Sequence, residues 1–586
     1  MTDKKIGATQ AIGKMDRRKF LQTTAVGSIA GLGVTTTSFA VTDSRSNIKW
    51  DREADIVVVG SGAAASVSAI AAAHAKNSVI IVEKAPIYGG TTAKSEGAFW
   101  IPNHRFLREQ GIEDPRDDAI RYMARCAYVQ LYRPGEHLLG LPKLEYNLLA
   151  AFYDNAAPAV EFLEKVGALK YIHYLRAYDY IDSAKENKVP RDRMLNSERP
   201  DGSPGRGKEL IRQLRAWIDA NNIPVLLNHR VQTVLSDEQR KVIGVKATTS
   251  DGTTVHLRAR KAVVFGSGGY THNAELIRNF QPGPIAGGCA TSSCEGDFIA
   301  IGESVGAKLG NMASAWRDQI VLEQALETPS VPQGVWQPPG DSMVLVNKYG
   351  KRVVGEKRNY NERSKVHFQW DPNKSEFINQ YLFMIYDRRT AELFAGNYPL
   401  PAPGDTLPYV ISAQTLDDLG QAIQQRLEKY ESRLGVVRLD KGFAKNLHET
   451  VSKFDKYASS GLDEEFQRGI GPYDADWHSV YFSIPRKDTT WKTGTMPTIV
   501  MHPFQPQGPY YAIIFAAGTL DTNGGPIINE HGQVLDSNNQ PIAGLYGAGN
   551  CIASPGGGSY FGGGATIGLA MTFGYLAGSH AAGSAI

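Results

Sequence analysis

Residues 55 to 83 constrain the fold more than any other stretch of the chain. "DIVVV" (55–59) is a short β-branched run of the kind buried on both faces of a parallel sheet. It runs directly into "GSGAAASVSAIAAAHA", a tight glycine turn opening an alanine-rich helix. A second run, "SVIIVE" (78–83), ends on Glu83. Strand, turn, helix, strand and terminal acid in this order form a dinucleotide-binding unit. The amides of the turn meet a pyrophosphate at the helix N-terminus, and the acid meets a ribose hydroxyl. Gly60 permits the turn, Gly62 lets the backbone close on phosphate, and Ala65 is small enough for helix–strand packing. Ser61, Ala63, Ala64 and Lys84 flank these positions and are expected cofactor contacts.

The glycine turn by itself fits FAD or NAD. Three further segments point to FAD, because a long cofactor gripped by scattered loops is the habit of one large flavoprotein class. "GGTTAKSEG" (89–97) offers Gly90, Thr91, Thr92, Ser95 and Gly97 just beyond Glu83. "KAVVFGSGGY" (261–270) is another strand entering a glycine turn, at Gly268 and Gly269. "AGLYGAGNC" (543–551) is a third, presenting Gly549 and Asn550. Val231, Thr566 and Ile567 complete the expected contacts to a non-covalent FAD. Two other motifs fail. "GSPGRGKE" (202–209) fits GxxxxGK of a nucleotide loop, but Glu209 stands where a magnesium-binding Ser or Thr belongs, and no buried strand precedes it. Ser559 has Phe561 rather than glycine two positions on, so no serine-hydrolase elbow is formed.

A chain of 586 residues exceeds one ordinary core. The fold expected is α/β, a Rossmann-type FAD-binding domain with an inserted α+β catalytic (cap) domain. The flavin segments occupy 50–316 and 506–586, and the charged, aromatic-rich stretch 317–505 forms the cap. Residues 1–40 hold six basic and two acidic residues, so the net charge of +3 resides at the front and the body is nearly neutral. A neutral body gives no electrostatic reason to expect nucleic acid. "DRRKFLQ" (16–22), a modest apolar run and a small-x-small pattern at Ser38–Ala40 read as a twin-arginine export signal. The mature protein is therefore expected in the periplasm, exported folded. The four cysteines, Cys126, Cys289, Cys294 and Cys551, lack metal or haem spacing and read as packing residues, so no metal is expected.

Near the C-terminus, "SPGGGSYFGGGATIG" (554–568) sets Tyr560 between two glycine triplets. With "GGTTAKSEGAFWIP", "GGYTHNAE", "KYGKRVVGEKRNY", "DEEFQRGIGPYDADW", "GPYYA", "GTLDTNGG" and "GLYGAGN…SYFGGGATIGLAMTFGYLAG", the chain resembles the fumarate reductase/ketosteroid dehydrogenase class of flavoproteins. Within it, the chain is most similar to the 3-ketosteroid Δ1-dehydrogenases, over nearly all of its length beyond residue 50. The resemblance implies a steroid site of three tyrosines and a glycine. "GKRVVGEKRNY" puts the family's general base at Tyr360, "RAYDYI" puts its helper at Tyr180, and the tyrosine–x3–glycine spacing gives Tyr560 and Gly564. Tyr560 and the Gly564 amide would receive the 3-keto oxygen while the glycines let backbone approach flavin and substrate. Gly355, Arg358, Asn359 and Phe561 depart from the family pattern. The expected substrate is a small hydrophobic cyclic ketone, a steroid first. Reduced FAD would pass electrons to an external acceptor, a quinone or a soluble carrier, and peripheral membrane contact stays open.

Three rivals remain at this point. A fumarate-type reductase should carry His before Thr-x-Gly-Gly and an arginine in the C-terminal loop to clamp carboxylates. Here Leu520-Asp521 precede Thr522, and 554–568 holds no arginine. Desaturation of the steroid 4,5-bond or of another cyclic ketone is the second, and a catalytically silent flavin protein the third.

Overall fold

The computed structural model describes residues 48–174 and 176–584. The expected export signal, 1–40, lies outside the described residues.

The β-branched run folds as the strand Arg52–Val59, central in an eight-stranded sheet. It pairs in parallel with Val79–Val82 on one side and with Thr254–Phe265 on the other. Val225–Leu226 and Pro541–Gly547 extend the parallel core at its two ends. Three consecutive strands thus enter glycine turns at one edge, after Val59, Phe265 and Gly547, the expected position of a ligand in an open parallel sheet. The alanine-rich helix, Ala63–His74, has ten of its residues buried. It packs on the last helix, Ala565–Ala581, through small residues. A Cβ on Gly574 would lie 2.5 Å from the Ala64 carbonyl oxygen, and one on Gly578 would lie 2.4 Å from that of Ser68. Ser68 Oγ donates to the Gly574 carbonyl at 2.9 Å. Ala565–Ala581 is thereby held against Ala63–His74, which brings Gly549, Thr566 and the tyrosine loop to the glycine turns.

A second, six-stranded sheet is built around Tyr510–Thr522. Tyr381–Asp387, Ala315–Val321 and Ile411–Ala413 pair antiparallel with it, and Met343–Val346 lies beyond Tyr381–Asp387. The helices Leu416–Lys429 and Phe443–Ser460 cover one face with an apolar cluster. The sheet's spine, apolar along almost its whole length, falls in the return segment beginning at 506, and a short strand at Gly287–Gly288 joins it from the front segment. The second sheet therefore draws on residues from both sides of the stretch 317–505. A run buried on both faces carries no polar alternation to mark which layer it serves.

A third, small sheet pairs Met194–Ser197 with both Phe99–Trp100 and Tyr171–Ile172. Tyr180 follows the strand Tyr171–Ile172 in the chain. No helix among the described residues is long and apolar enough to cross a membrane.

Candidate active site

One cavity of about 1140 Å³ is lined by residues from all of these layers. Part of its lining follows the first sheet's edge. Gly60 has φ +107°, and a Cβ there would lie 2.4 Å from the Gly266 carbonyl oxygen, so glycine is required by the neighbouring turn. Gly62, Ala63 and Ala64 line the cavity at the helix start. Ser61 Oγ donates to Glu83 Oε2 at 2.7 Å and accepts from the Gly89 amide at 2.9 Å, locking the first glycine loop to the second. Thr92 Oγ1 accepts from the Ala63 amide at 3.1 Å.

Of the expected cofactor contacts, Gly60 to Ala64, Glu83, Lys84, Gly90, Thr91, Thr92, Ser95, Gly97, Val231, Gly268, Gly549, Asn550, Thr566 and Ile567 all line this cavity. Gly269 does not; its amide donates to Asp521 Oδ2 at 2.8 Å. Lys84 lines it with its charge already engaged, by Glu295 at 2.9 Å and Asp297 at 2.8 Å. Sequence reasoning missed Ser267, Cys294, Trp316 and Asp521. Ser267 and Asp521 lie inside the glycine segments named above, whereas Trp316 carries no local signal. Asp521 joins two turns: it also accepts from Asn550 Nδ2 at 3.2 Å, and Asn550 Oδ1 accepts from Trp316 Nε1 at 2.9 Å. Cys289 and Cys294 line the cavity as well as packing against apolar neighbours, and burial pushes the Cys294 thiol up to about 12, so it stays protonated.

These residues fit FAD. A helix N-terminus, an acid ending the second strand and a cavity of about 1140 Å³ meet the demands of pyrophosphate, ribose and ring in turn. Ser267 Oγ is buried with no hydrogen-bond partner among the described residues, which a ligand here would supply.

The same cavity is lined by the phenols Tyr180, Tyr360 and Tyr560. Tyr180 and Tyr360 are buried, and the Tyr180 hydroxyl donates to the Tyr360 oxygen at 2.7 Å. Tyr560 packs against both, with ring centroids 5.0 Å from Tyr180 and 5.5 Å from Tyr360. Trp316 closes on Tyr560 at 5.2 Å, and Trp477 on Tyr180 at 5.4 Å. Burial among these rings pushes the Tyr180 and Tyr360 phenols well above the ordinary value near 10, reinforced for Tyr180 by charge on Tyr560 and Tyr473 and for Tyr360 by charge on Tyr180 and Tyr560. Burial also raises Tyr560, but the Thr566 hydroxyl, 3.4 Å from the Tyr560 oxygen, opposes it. Tyr178 does not line this cavity, and the Arg191 guanidinium stacks on its ring at 4.4 Å.

Each phenol is fixed by its own support. Arg193, fully buried, bridges Asp114 at 2.7 Å and Asp179 at 2.6 Å, and Asp179 also accepts from Trp100 Nε1 at 2.7 Å, which anchors the residue preceding Tyr180. Tyr360 opens the short helix Tyr360–Ser364. Gly564, at φ +90°, caps Ala565–Ala581, and a Cβ on it would lie 2.5 Å from the Ala98 carbonyl carbon. The second glycine triplet is crowded by protein: a Cβ on Gly562 would lie 2.6 Å from Asp179 Oδ1, and one on Gly563 would lie 2.6 Å from Met194 Sδ. Those glycines let the tyrosine loop pack against the small sheet.

The family described as "FAD binding domain" matches residues 55–567. The chain is 30% identical to the 3-oxosteroid 1-dehydrogenase of Mycolicibacterium smegmatis, over 90% of this chain and 96% of the relative. It is 28% identical to the 4-oxocyclohexanecarboxylate 2-dehydrogenase of Sinomonas cyclohexanicum, over 91% and 93% respectively. Its fold matches the crystal structure of 3-ketosteroid Δ1-dehydrogenase from Sterolibacterium denitrificans in complex with 1,4-androstadiene-3,17-dione. That match has a TM-score of 0.75 at 24% identity and covers 91% of this chain and all of the other.

Proposed function

The chain belongs to the FAD-binding flavoprotein family, and from that premise we propose that it catalyses the 1,2-dehydrogenation of 3-ketosteroids and hands the electrons to an external acceptor. The observation that carries this reading is the Tyr180–Tyr360 hydroxyl pair, 2.7 Å apart, packed on Tyr560 in the same cavity as the FAD contacts.

Removing hydrogen from two adjacent carbons beside a ketone requires the α proton to be acidified first. Tyr560 and the Gly564 amide do this by hydrogen-bonding the 3-keto oxygen as enolate charge develops, each donor worth on the order of 3 kcal/mol in a water-poor site. Tyr360 takes the α proton. A buried neutral phenol is a poor base, so the hydrogen bond from Tyr180 is what favours charge on the Tyr360 oxygen. FAD, when bound, supplies the acceptor for the hydride that leaves the β carbon. Trp316, Trp477 and Met194 present apolar surface to the rings of the substrate and exclude water. The product is a 3-keto-1-ene, or a 1,4-diene where a 4-ene was present.

Regiochemistry tests the reading. With a saturated 3-ketosteroid and an artificial electron acceptor, a 1-ene product supports it, and a 4-ene product moves the desaturation to the 4,5-bond. A smaller cyclic ketone is the second reading, favoured by the likeness to a 4-oxocyclohexanecarboxylate dehydrogenase. It wins if such a ketone exceeds every steroid in kcat/KM.

We also propose twin-arginine export, on the strength of Arg17-Arg18 ahead of an apolar run. Replacing both arginines by lysine should retain the protein in the cytoplasm.

A further inference from the structure

Tyr180 and Tyr360 come from segments far apart in sequence, and phenol rings on separate loops do not hold a short hydroxyl contact unaided. The Tyr180 backbone is gripped on both sides. Its amide donates to the Phe561 carbonyl at 3.0 Å, and its carbonyl accepts from Asn359 Nδ2 at 3.0 Å. The same Asn359 side chain works at its other end: Oδ1 accepts from the Glu362 amide at 3.0 Å, capping the helix whose first residue is Tyr360. Asn359 is buried, so both ends of its amide are satisfied where neither could turn to water.

We propose that Asn359 is a positioning residue which sets the Tyr180–Tyr360 hydroxyl contact, by tying the Tyr180 backbone to the start of the Tyr360 helix. Asparagine suits both halves of this role. Asp, Ser and Thr would cap the helix about as well, so capping alone does not require the amide. Only a side chain with an acceptor and a donor on one planar group can cap the helix and also reach the Tyr180 carbonyl. Asn359 stands in one of the positions where the chain departs from the family pattern, immediately before the expected base. The proposal rests on the functional reading above only for its kinetic consequence; the geometric consequence stands without it.

Asn359→Ser separates the two duties, since serine keeps the cap and is too short to reach Tyr180. In the FAD-loaded variant, flavin reduction by saturating 3-ketosteroid should slow on the order of 10- to 100-fold, the size expected of a small misplacement. KM should stay within about twofold, because Asn359 makes no substrate contact. The rising limb of the kcat–pH profile should move to higher pH, because Tyr360 loses an aligned donor. In a crystal structure of the variant the two hydroxyl oxygens should stand further apart than about 3.5 Å. Wild-type rate and pH profile, or an unchanged 2.7 Å contact, would overturn the proposal. Should Asn359→Ser fail to load FAD, Asn359→Asp decides by the same readings, since it caps equally and sets an oxygen against the Tyr180 carbonyl. A wild-type protein that no 3-ketosteroid reduces would refute the functional reading instead, and the hydroxyl separation would still decide this one.

Discussion

Burial holds the Tyr360 phenol neutral, while its proposed role as base needs it charged. The hydrogen bond from Tyr180 resolves this conflict, so the three phenols should respond differently to loss of the hydroxyl. Tyr360→Phe should lower flavin reduction by about 10²- to 10⁴-fold, the range for loss of a general base. Tyr560→Phe should cost about 10²- to 10³-fold, as for one oxyanion donor. Tyr180→Phe should leave more activity than Tyr360→Phe and shift the rising limb of the pH profile upward, since removing the donor raises the base's pKa. Stopped-flow reduction across pH separates the three. These residues were legible in the sequence only through motif resemblance, because nothing in tyrosine spacing joins positions 180, 360 and 560. Trp316 and Met194 were not legible at all, and Trp477 only as the end of a resemblance motif; single apolar residues announce burial but not which cavity they face.

At the scale of elements, the glycine triplets divide by function. Gly564→Ala would force a side chain onto φ +90° and into the Ala98 backbone, so a loss of roughly 1–3 kcal/mol from backbone strain, with further loss from the clash, is expected in denaturant melts. Gly558 has its nearest neighbour at 3.5 Å, and Gly558→Ala should be nearly neutral, within roughly 0.5 kcal/mol. The strand Ala315–Val321 carries a second conditional element. Burial pushes the Asp318 carboxyl up to about 8, with the Arg363 guanidinium only partly opposing it, and Asp318 Oδ2 has no partner among the described residues. The folded protein therefore holds a proton that the unfolded chain releases near its ordinary 3.8. Stability from this group is full below that value and is lost as pH climbs through about 8. Thermal melts from pH 5 to 9 should fall more steeply for the wild type than for Asp318→Asn. In the small sheet's support, Arg193→Met leaves Asp114 and Asp179 buried without their cation, and should cost about 3–5 kcal/mol.

Across the whole molecule, what could be read beforehand was local. A strand entering a glycine turn declares itself within ten residues, and the segments that do so all meet along one sheet edge, with Gly269 alone turned away. The layer assignment of Tyr510–Thr522 was not local, because an apolar run buried on both faces looks alike in either sheet. Nor was the closure of Ala565–Ala581 on Ala63–His74, which depends on glycines meeting small residues some 500 positions away, as the Ser68–Gly574 hydrogen bond shows. That closure makes catalysis a property of the whole chain, since it sets Tyr560 and Gly564 beside the FAD contacts. The most direct measurement mixes the purified FAD-loaded protein anaerobically with a 3-keto-4-ene steroid and follows the oxidised-flavin absorbance band, with the product identified by mass and absorbance. Rapid bleaching with a 1,4-diene product in the wild type, and none in Tyr360→Phe, is the predicted result. Flavin that no 3-ketosteroid bleaches, but that an unsaturated carboxylic acid reoxidises after reduction, would contradict the account.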